Sequence, residues 1–301
     1  EYKKERATVH LKELVGGALS FYAAAAVAKT GGVHIFVAED RDAAAYLLND
    51  FYNLLDEKQV YFFPSSYKRS AAYGAEDAQG VVQRTTAMNA VRGFTKGYLV
   101  VCTYPEALAE RVVDAATLQR DTIAVKLGDK ISIAVLEDAL ADANFTRVDF
   151  VYEPGQYSVR GGIVDVFSYS ESKPYRIDFF GDEVDSIRRF NISSQLSADK
   201  LDRVEIVPNL NAGEAPRVSF VQFAGSSATC WFYDADYVLR RVNDLRRKVL
   251  ADMEEPGQID RLLTSRNVLL RDMAGNSVVA LRDNLPERPA TAAVVFDTAP
   301  Q

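Results

Sequence analysis

The residues of this sequence that most resemble a chemical site lie near its start, where glycines and acids follow apolar segments. Gly16-Gly17 precedes a helix-like segment, and Glu39-Asp40 follows an apolar run. A phosphate-binding loop needs Gly-x-x-x-x-Gly-Lys-Ser/Thr, because its backbone N–H groups and its lysine hold the phosphates. Neither that string nor Gly-x-Gly-x-x-Gly occurs here. Without bound phosphates the acidic pair has no role in holding Mg²⁺, and Asp40 is better explained as a helix N-cap.

Metal sites and nucleophilic sites are equally poorly supported. The only histidines are His10 and His34, and neither lies at ligand spacing to Cys102 or Cys230. His34 falls in a strand-like apolar run and is predicted to be a hydrogen-bonded core histidine. A Ser-His-Asp triad stays open, although no Gly-x-Ser-x-Gly string supports one. We therefore expect no catalytic residue, no metal and no cofactor.

The charge distribution bears on nucleic-acid binding. The net charge is −7, whereas proteins that hold duplex DNA by its phosphates usually carry a basic face. The densest basic cluster comprises Arg240, Arg241 and residues 246–248, on a predicted helix. A solvated helix face explains this cluster best, and DNA binding as the main function is disfavoured.

Composition also indicates the compartment. No run of 18 apolar residues occurs, so we expect no membrane span. Cys102 lies in an apolar strand-like run, which argues against a disulfide framework and favours the cytoplasm. The first residue is Glu1 rather than Met, and we expect an excised fragment.

The first hundred residues alternate between predicted helices and strands. Apolar runs without polar alternation are typical of strands that are buried on both faces. Such alternation predicts a parallel sheet with helices packed on it. The predicted helices span 18–28, 41–55 and 79–91, and the predicted strands span 33–37, 60–63 and 98–102.

The middle of the chain predicts a small α+β unit. A strand at 123–125 and a helix at 132–143 precede two hairpins, whose two-residue turns are Gly161-Gly162 and Gly181-Asp182. In the remaining residues we predict a helix at 236–253 and strands at 204–207, 218–223, 230–233 and 293–296.

Strand alternation assigns side chains to the two faces of this unit. In one strand Arg160 lies opposite to the apolar side, and in a later strand Arg176, Asp178 and Phe180 share the polar side. Arginine and exposed aromatic residues on one face are enriched at protein interfaces. The alternative is structural: Arg160 and Arg176 pair with Asp165 and Asp178, and Phe180 packs against a loop.

Two strings in this unit carry a family resemblance. Residues 153–167 (EPGQYSVRGGIVDVF) and 174–188 (PYRIDFFGDEVDSIR) resemble a signature shared by the UvrB repair helicases and by the amino-terminal region of the Mfd family of transcription-repair coupling factors. The match is dense over about forty residues, and weaker similarity extends over the chain. A UvrB helicase has a phosphate loop and an inserted DNA-binding hairpin. The first is missing, and residues 64–83, where the hairpin would begin, hold only a short polar stretch. This pattern favours the Mfd family.

The resemblance implies a fold and a function. The expected fold class is α/β, a discontinuous RecA-like parallel-sheet domain (1a, residues 1–112, and 1b, residues 198–301) interrupted by an antiparallel α+β domain 2 (residues 113–197). Domain 2 is expected to bind UvrA, the damage-recognition ATPase, through Arg160, Arg176, Phe180 and Asp178. The fragment itself is expected to be a docking region without catalysis, and the alternative is a UvrB-like ATP-dependent helicase subunit. In the whole protein the resemblance implies that other domains bind RNA polymerase and DNA, and that a carboxy-terminal domain masks the UvrA-binding surface.

Overall fold

The secondary structure is that of a computed structural model, which describes residues 7–14, 16–67, 77–211, 215–253, 255–281 and 290–296. The predictions for 64–83 fall partly outside these ranges. In the described residues the strands, β1 to β17 in chain order, are Thr8–Lys12, Gly32–Val37, Val60–Phe62, Tyr98–Thr103, Val112–Val113, Ile123–Lys126, Thr146–Arg147, Gln156–Arg160, Ile163–Val166, Tyr175–Phe180, Glu183–Phe190, Ser197–Leu201, Arg203–Ile206, Arg217–Val218, Thr229–Phe232, Ser277–Ala280 and Ala292–Val295. The α-helices, α1 to α10, are Ala18–Thr30, Arg41–Leu54, Ala78–Gly93, Pro105–Ala109, Ala115–Asp121, Ile133–Asp142, Phe220–Ala224, Ala235–Asp252, Ile259–Leu262 and Arg266–Asp272. None of the described helices is long and apolar enough to cross a membrane.

The chain divides into two compact units. Unit 1 comprises residues 1–80, 90–112 and 217–301, and unit 2 comprises residues 81–89 and 113–216. The finer division into domains 1a, 2 and 1b at 112/113 and 197/198 stays a prediction.

Unit 1 contains one seven-stranded sheet in the order β17-β1-β16-β15-β2-β4-β3, and all its pairings are parallel. Its central strands read as continuous apolar runs because helices cover parallel sheets on both faces. Phe36 of β2 stacks on Trp231 of β15 at 4.8 Å between ring centroids, and both are buried. Trp231 Nε1 donates to Nδ1 of the buried His34, so the predicted core histidine is confirmed.

Helix starts in unit 1 follow capping residues. Asp40 is the N-cap of α2, and its Oδ1 accepts from the N–H of Ala43 at 2.8 Å, as predicted. The strand predicted at 218–223 is wrong. Ser219 Oγ accepts from the N–H of Gln222 and starts helix α7, so most of this apolar run is helical and only Arg217–Val218 is extended.

Unit 2 is built on a six-stranded sheet in the order β12-β11-β10-β9-β8-β7, antiparallel except for the β7–β8 pair. Strands β6 and β13 form a separate antiparallel pair. Leu136 and Leu140 of α6 pack with Tyr157, Val164 and Ile177 in one apolar cluster, which identifies the core face of the sheet. The predicted fold class is confirmed: a RecA-like parallel α/β sheet made from discontinuous segments, and an inserted antiparallel α+β unit.

Candidate protein-binding surface

The face of the unit 2 sheet that points away from its apolar core carries a row of polar side chains. Ser158 of β8 pairs with Asp165 of β9, Asp165 pairs with Arg176 of β10, and Arg176 pairs with Arg188 of β11. Directly opposed residues have Cβ atoms about 4.5–5.5 Å apart, so these side chains interact across four strands. We call this side of the sheet the polar face.

Asp165 is the centre of the polar face. Its side chain is 2% exposed, and its two oxygens accept hydrogen bonds from arginines on both neighbouring strands. Arg176 donates from Nε to Oδ1 at 2.7 Å and from Nη2 to Oδ2 at 2.8 Å, and Arg160 donates to the same Oδ2. The hydrogen bond to Asp165 raises the pKa of Arg176, which keeps its charge. Charge-assisted bidentate pairs are the strongest of the common side-chain hydrogen bonds, so Asp165 fixes both guanidinium groups.

Asp178 belongs to a neighbouring pair on the same face. Its Oδ2 accepts from Arg188 Nη2 and from Ser186 Oγ, both on β11. The side chains of Arg188 and Asp178 are 31% and 20% exposed, so this pair is more open to solvent than the pairs of Asp165. The network of Arg160, Arg176 and Arg188 with the two aspartates carries an excess of one positive charge.

Phe180 is the most exposed large apolar side chain among the described residues, at 84%. It ends β10 and precedes the two-residue turn of Gly181 and Asp182, which the sequence predicted. Gly181 has φ 62°, whereas Asp182 has no positive φ, which is the arrangement of a type II′ turn. Because Phe180 does not pack against a loop, that part of the structural alternative is wrong.

The polar face continues beyond Arg160 to residues that sequence reasoning missed. The Arg160 guanidinium lies 4.8 Å from the ring centre of Phe150, which is half exposed, and its Nη1 donates to the carbonyl of Asp149. Arg147, Phe150 and Arg160 line a cavity of about 390 Å³. The arginine–aromatic spacing across a loop carries no periodic signal, so the sequence alone could not have indicated it.

The four predicted site residues share one face, as alternation required, but they divide into two sets. Arg160 and Arg176 meet at Asp165, while Asp178 bonds to Arg188 and Phe180 lies at the hairpin end. The proposed pairing of both arginines with both aspartates is therefore half right, since Asp165 takes both arginines. Their binding role stays a prediction.

The polar face lies within a segment that matches the model of a known protein family. Residues 123–211 match the model of the UvrB interaction domain. The matched segment covers β6 to β13 and contains every residue of the polar-face network. This segment is therefore similar to an interaction domain of the UvrB type, and the match is limited to residues 123–211.

The wider chain is similar to transcription-repair-coupling factors. It is 27% identical over 199 residues to those of Bacillus subtilis (strain 168) and Escherichia coli (strain K12), which covers 66% of this chain and 17% of each relative. It is 35% identical over 101 residues to that of Haemophilus influenzae, covering 34% of this chain and 9% of the relative. The predicted resemblance to the amino-terminal, UvrB-like region of the Mfd family is confirmed, and the chain spans less than a fifth of the length of these relatives.

Proposed function

We propose that this chain is a docking region without catalysis of its own, which recruits UvrA through the polar face of unit 2. The observation that carries the proposal is Phe180, displayed at 84% exposure on the sheet face that also carries the arginines bound to Asp165, within the segment that matches a UvrB interaction domain. Exposed aromatic and arginine side chains in a fixed geometry lose little conformational entropy on binding.

The partner surface is expected to be apolar with acidic surroundings. Phe180 offers apolar area, and the excess positive charge of the network favours acidic groups on the partner. Arg160, whose side chain is 36% exposed, is better placed for direct contact than Arg176, whose side chain is 14% exposed.

Calorimetric titration of UvrA into the whole chain tests this proposal. We expect Phe180→Ala to weaken binding about thirtyfold, because a central aromatic contributes roughly 2 kcal/mol. Val135→Ala is the matched control, since Val135 is 57% exposed on α6, the helix that packs on the core face. Equal affinity of Phe180→Ala and wild type would contradict the surface assignment, and no binding by wild type would contradict the function.

An ATP-dependent helicase subunit is the second candidate, and the segment between β1 and α1 of unit 1 argues against it. Only five residues separate β1 from α1, and none of them is a lysine followed by serine or threonine. This segment is too short to form a phosphate-binding loop, and it lacks the lysine that such a loop needs. A cavity of about 330 Å³ at the carboxyl ends of β2 and β15 is lined by aromatic residues together with Glu39 and Asp50. Its described lining contains no lysine or arginine to hold a triphosphate.

Titration with Mg-ATP tests the absence of catalysis directly. We expect no saturable heat at millimolar nucleotide. Saturable binding, followed by hydrolysis, would overturn the docking proposal in favour of the helicase.

The relatives that this chain matches are much longer than the matched segment, which covers 17% of each of two of them. We propose that RNA polymerase and DNA bind other domains, and that a carboxy-terminal domain masks the polar face until recruitment. Both cysteines are free and buried, which supports the cytoplasm as the compartment.

A further inference from the structure

Arg176 has few groups left to offer a partner. All three of its nitrogens donate within the chain, to Asp165 and to Gln195, and its guanidinium lies 4.3 Å from the ring centre of the buried Phe190. With 14% of its side chain exposed, Arg176 is closer to a core side chain than to a contact residue.

The bonds of Arg176 to Gln195 hold the loop 191–196 between β11 and β12. Nη2 donates to Gln195 Oε1 at 3.1 Å, and Nη1 donates to the Gln195 carbonyl at 3.4 Å. Gln195 has φ 57°, a left-handed conformation that costs a non-glycine residue free energy. Hydrogen bonds within the loop and from outside it offset this cost, and Arg176 makes two of those from outside.

The loop has a defined internal structure. The N–H of Asn191 donates to the Leu196 carbonyl, the N–H of Gln195 donates to the Asn191 carbonyl, and Asn191 Oδ1 accepts from the N–H groups of Ser193 and Ser194. This arrangement turns the chain back into β12 and leaves Leu196 70% exposed. A displayed leucine on a braced loop is a contact group held ready at low entropic cost.

We propose that Arg176 is a positioning residue, which braces loop 191–196 so that Leu196 forms a second apolar contact for the partner that binds Phe180. Arg176 lies four residues before Phe180 on β10, a distance of roughly 13 Å along the strand, and it reaches the loop across β11. The surface then has apolar contacts at two ends and a charged centre. This inference rests on the proposed function, because its partner is UvrA.

A double-mutant cycle in the whole chain separates bracing from direct contact. We expect Leu196→Ala and Arg176→Ala each to weaken UvrA binding about tenfold, and the double variant to bind no worse than either single variant. The reason is that Arg176 is proposed to reach the partner through the loop rather than by direct contact. Phe180→Ala combined with Arg176→Ala is the control pair, and its effects should multiply.

Two further measurements distinguish a positioning role of Arg176 from a general loss of structure. They are the salt dependence of UvrA binding and the affinity of a conservative variant. Arg160→Ala should lower the salt dependence of UvrA binding more than Arg176→Ala does, because Arg160 is the more exposed of the two arginines. Arg176→Lys should not rescue binding, since one ammonium group cannot bond to both Asp165 and Gln195 in the planar geometry of arginine.

Amide hydrogen exchange tests the brace without any partner. In Arg176→Ala we expect exchange at Asn191 and Gln195 to rise at least tenfold, with the β10–β11 amides near Phe179 unchanged. Unchanged exchange in the loop would contradict the proposal that Arg176 stabilises loop 191–196. If wild type binds UvrA while Leu196→Ala binds equally well, the second contact is wrong and the docking function stands. If wild type does not bind UvrA, the docking function and the Leu196 contact both fail, and exchange still decides the brace.

Discussion

Asp165 serves two arginines with one carboxylate, and this sharing makes it the residue on which the polar face depends. It is 2% exposed at its side chain, and both its partners lose their principal anion when it is removed. Breaking a buried pair on one side costs more than the pair contributes, because the remaining charge stays desolvated. Asp165 and its two arginines therefore stabilise the polar face only when all three are present.

We expect Asp165→Ala to lower the free energy of unfolding of unit 2 by about 3 kcal/mol, the range for stranding buried charges. Asp178→Ala, which leaves the partly exposed Arg188 without this carboxylate, should cost about 1 kcal/mol. Urea denaturation followed by circular dichroism measures both. The only tryptophan, Trp231, lies in unit 1, so its fluorescence reports whether that unit is unaffected. Equal losses for the two variants would contradict the central role of Asp165.

Alternation along single strands was enough to predict which side chains share the polar face. It could not predict which acid meets which arginine, because that depends on register across strands, where Asp165 lies between Ser158 and Arg176. Nothing in the sequence indicated the exposed Leu196, since loop 191–196 has no periodicity.

At the scale of elements, two hairpins with the same turn shape the polar face. Gly161 and Gly181 each occupy the first turn position with φ near 60°, and the following residues have no positive φ. The first turn sets the register of β8 with β9. The register of β10 with β11 shifts by one residue between Asp178 and Phe179, so the second turn sets only the pairs of Phe179 and Phe180. The turns and this irregularity in β10–β11 together decide which charged side chains lie opposite each other.

Gly181→Ala is expected to destabilise unit 2 by about 1–2 kcal/mol, because a Cβ at φ 62° is strained. Asp182→Ala is the matched control in the same turn, and it should change stability by less than about 0.5 kcal/mol. Thermal unfolding of the two variants compares them directly. A loss for Asp182→Ala as large as that for Gly181→Ala would show that the glycine conformation is not the cause.

The elements themselves were largely predictable where periodicity ran long. Helices α2 and α8 and the buried strands β2 and β4 lie within a few residues of their predicted positions. The error at 218–223 has a physical cause, since a short segment with four apolar residues in six fits a buried strand and a buried helix equally well. Ser219 decides the outcome by capping a helix.

At the scale of the whole molecule, the chain combines two different units. Unit 1 has a parallel sheet and a cavity lined by apolar and acidic residues, and unit 2 has an antiparallel sheet with an arginine-bearing face. The two units differ in what they offer a partner. Unit 2 displays charge that is fixed by internal pairing, whereas the densest basic sequence lies in α8 of unit 1. Nucleic-acid binding by α8 is therefore the property that distinguishes a DNA-binding protein from a docking protein.

The arginines of α8 are neutralised within unit 1, and this predicts weak DNA binding. A protein gains DNA affinity by releasing counterions from phosphates, which requires cations that are not already paired. The ion pairs are Arg240 with Asp236, Arg241 with Glu106, Arg246 with Asp260 and Arg247 with Asp244. We expect the whole chain to bind a labelled duplex more weakly than roughly 10⁻⁴ M at low salt, by fluorescence anisotropy.

A charge variant makes this expectation specific to the pairing. Asp244→Asn combined with Asp260→Asn frees two arginines without adding a cation, and it should strengthen DNA binding and introduce a salt dependence that wild type lacks. Tight, salt-steep binding by wild type would instead mean that DNA competes successfully for the paired arginines. In that case α8 would be a second binding surface of the chain, since DNA phosphates would replace the acidic partners of its arginines. The buried ion pairs of Asp165 would still support the protein-docking surface.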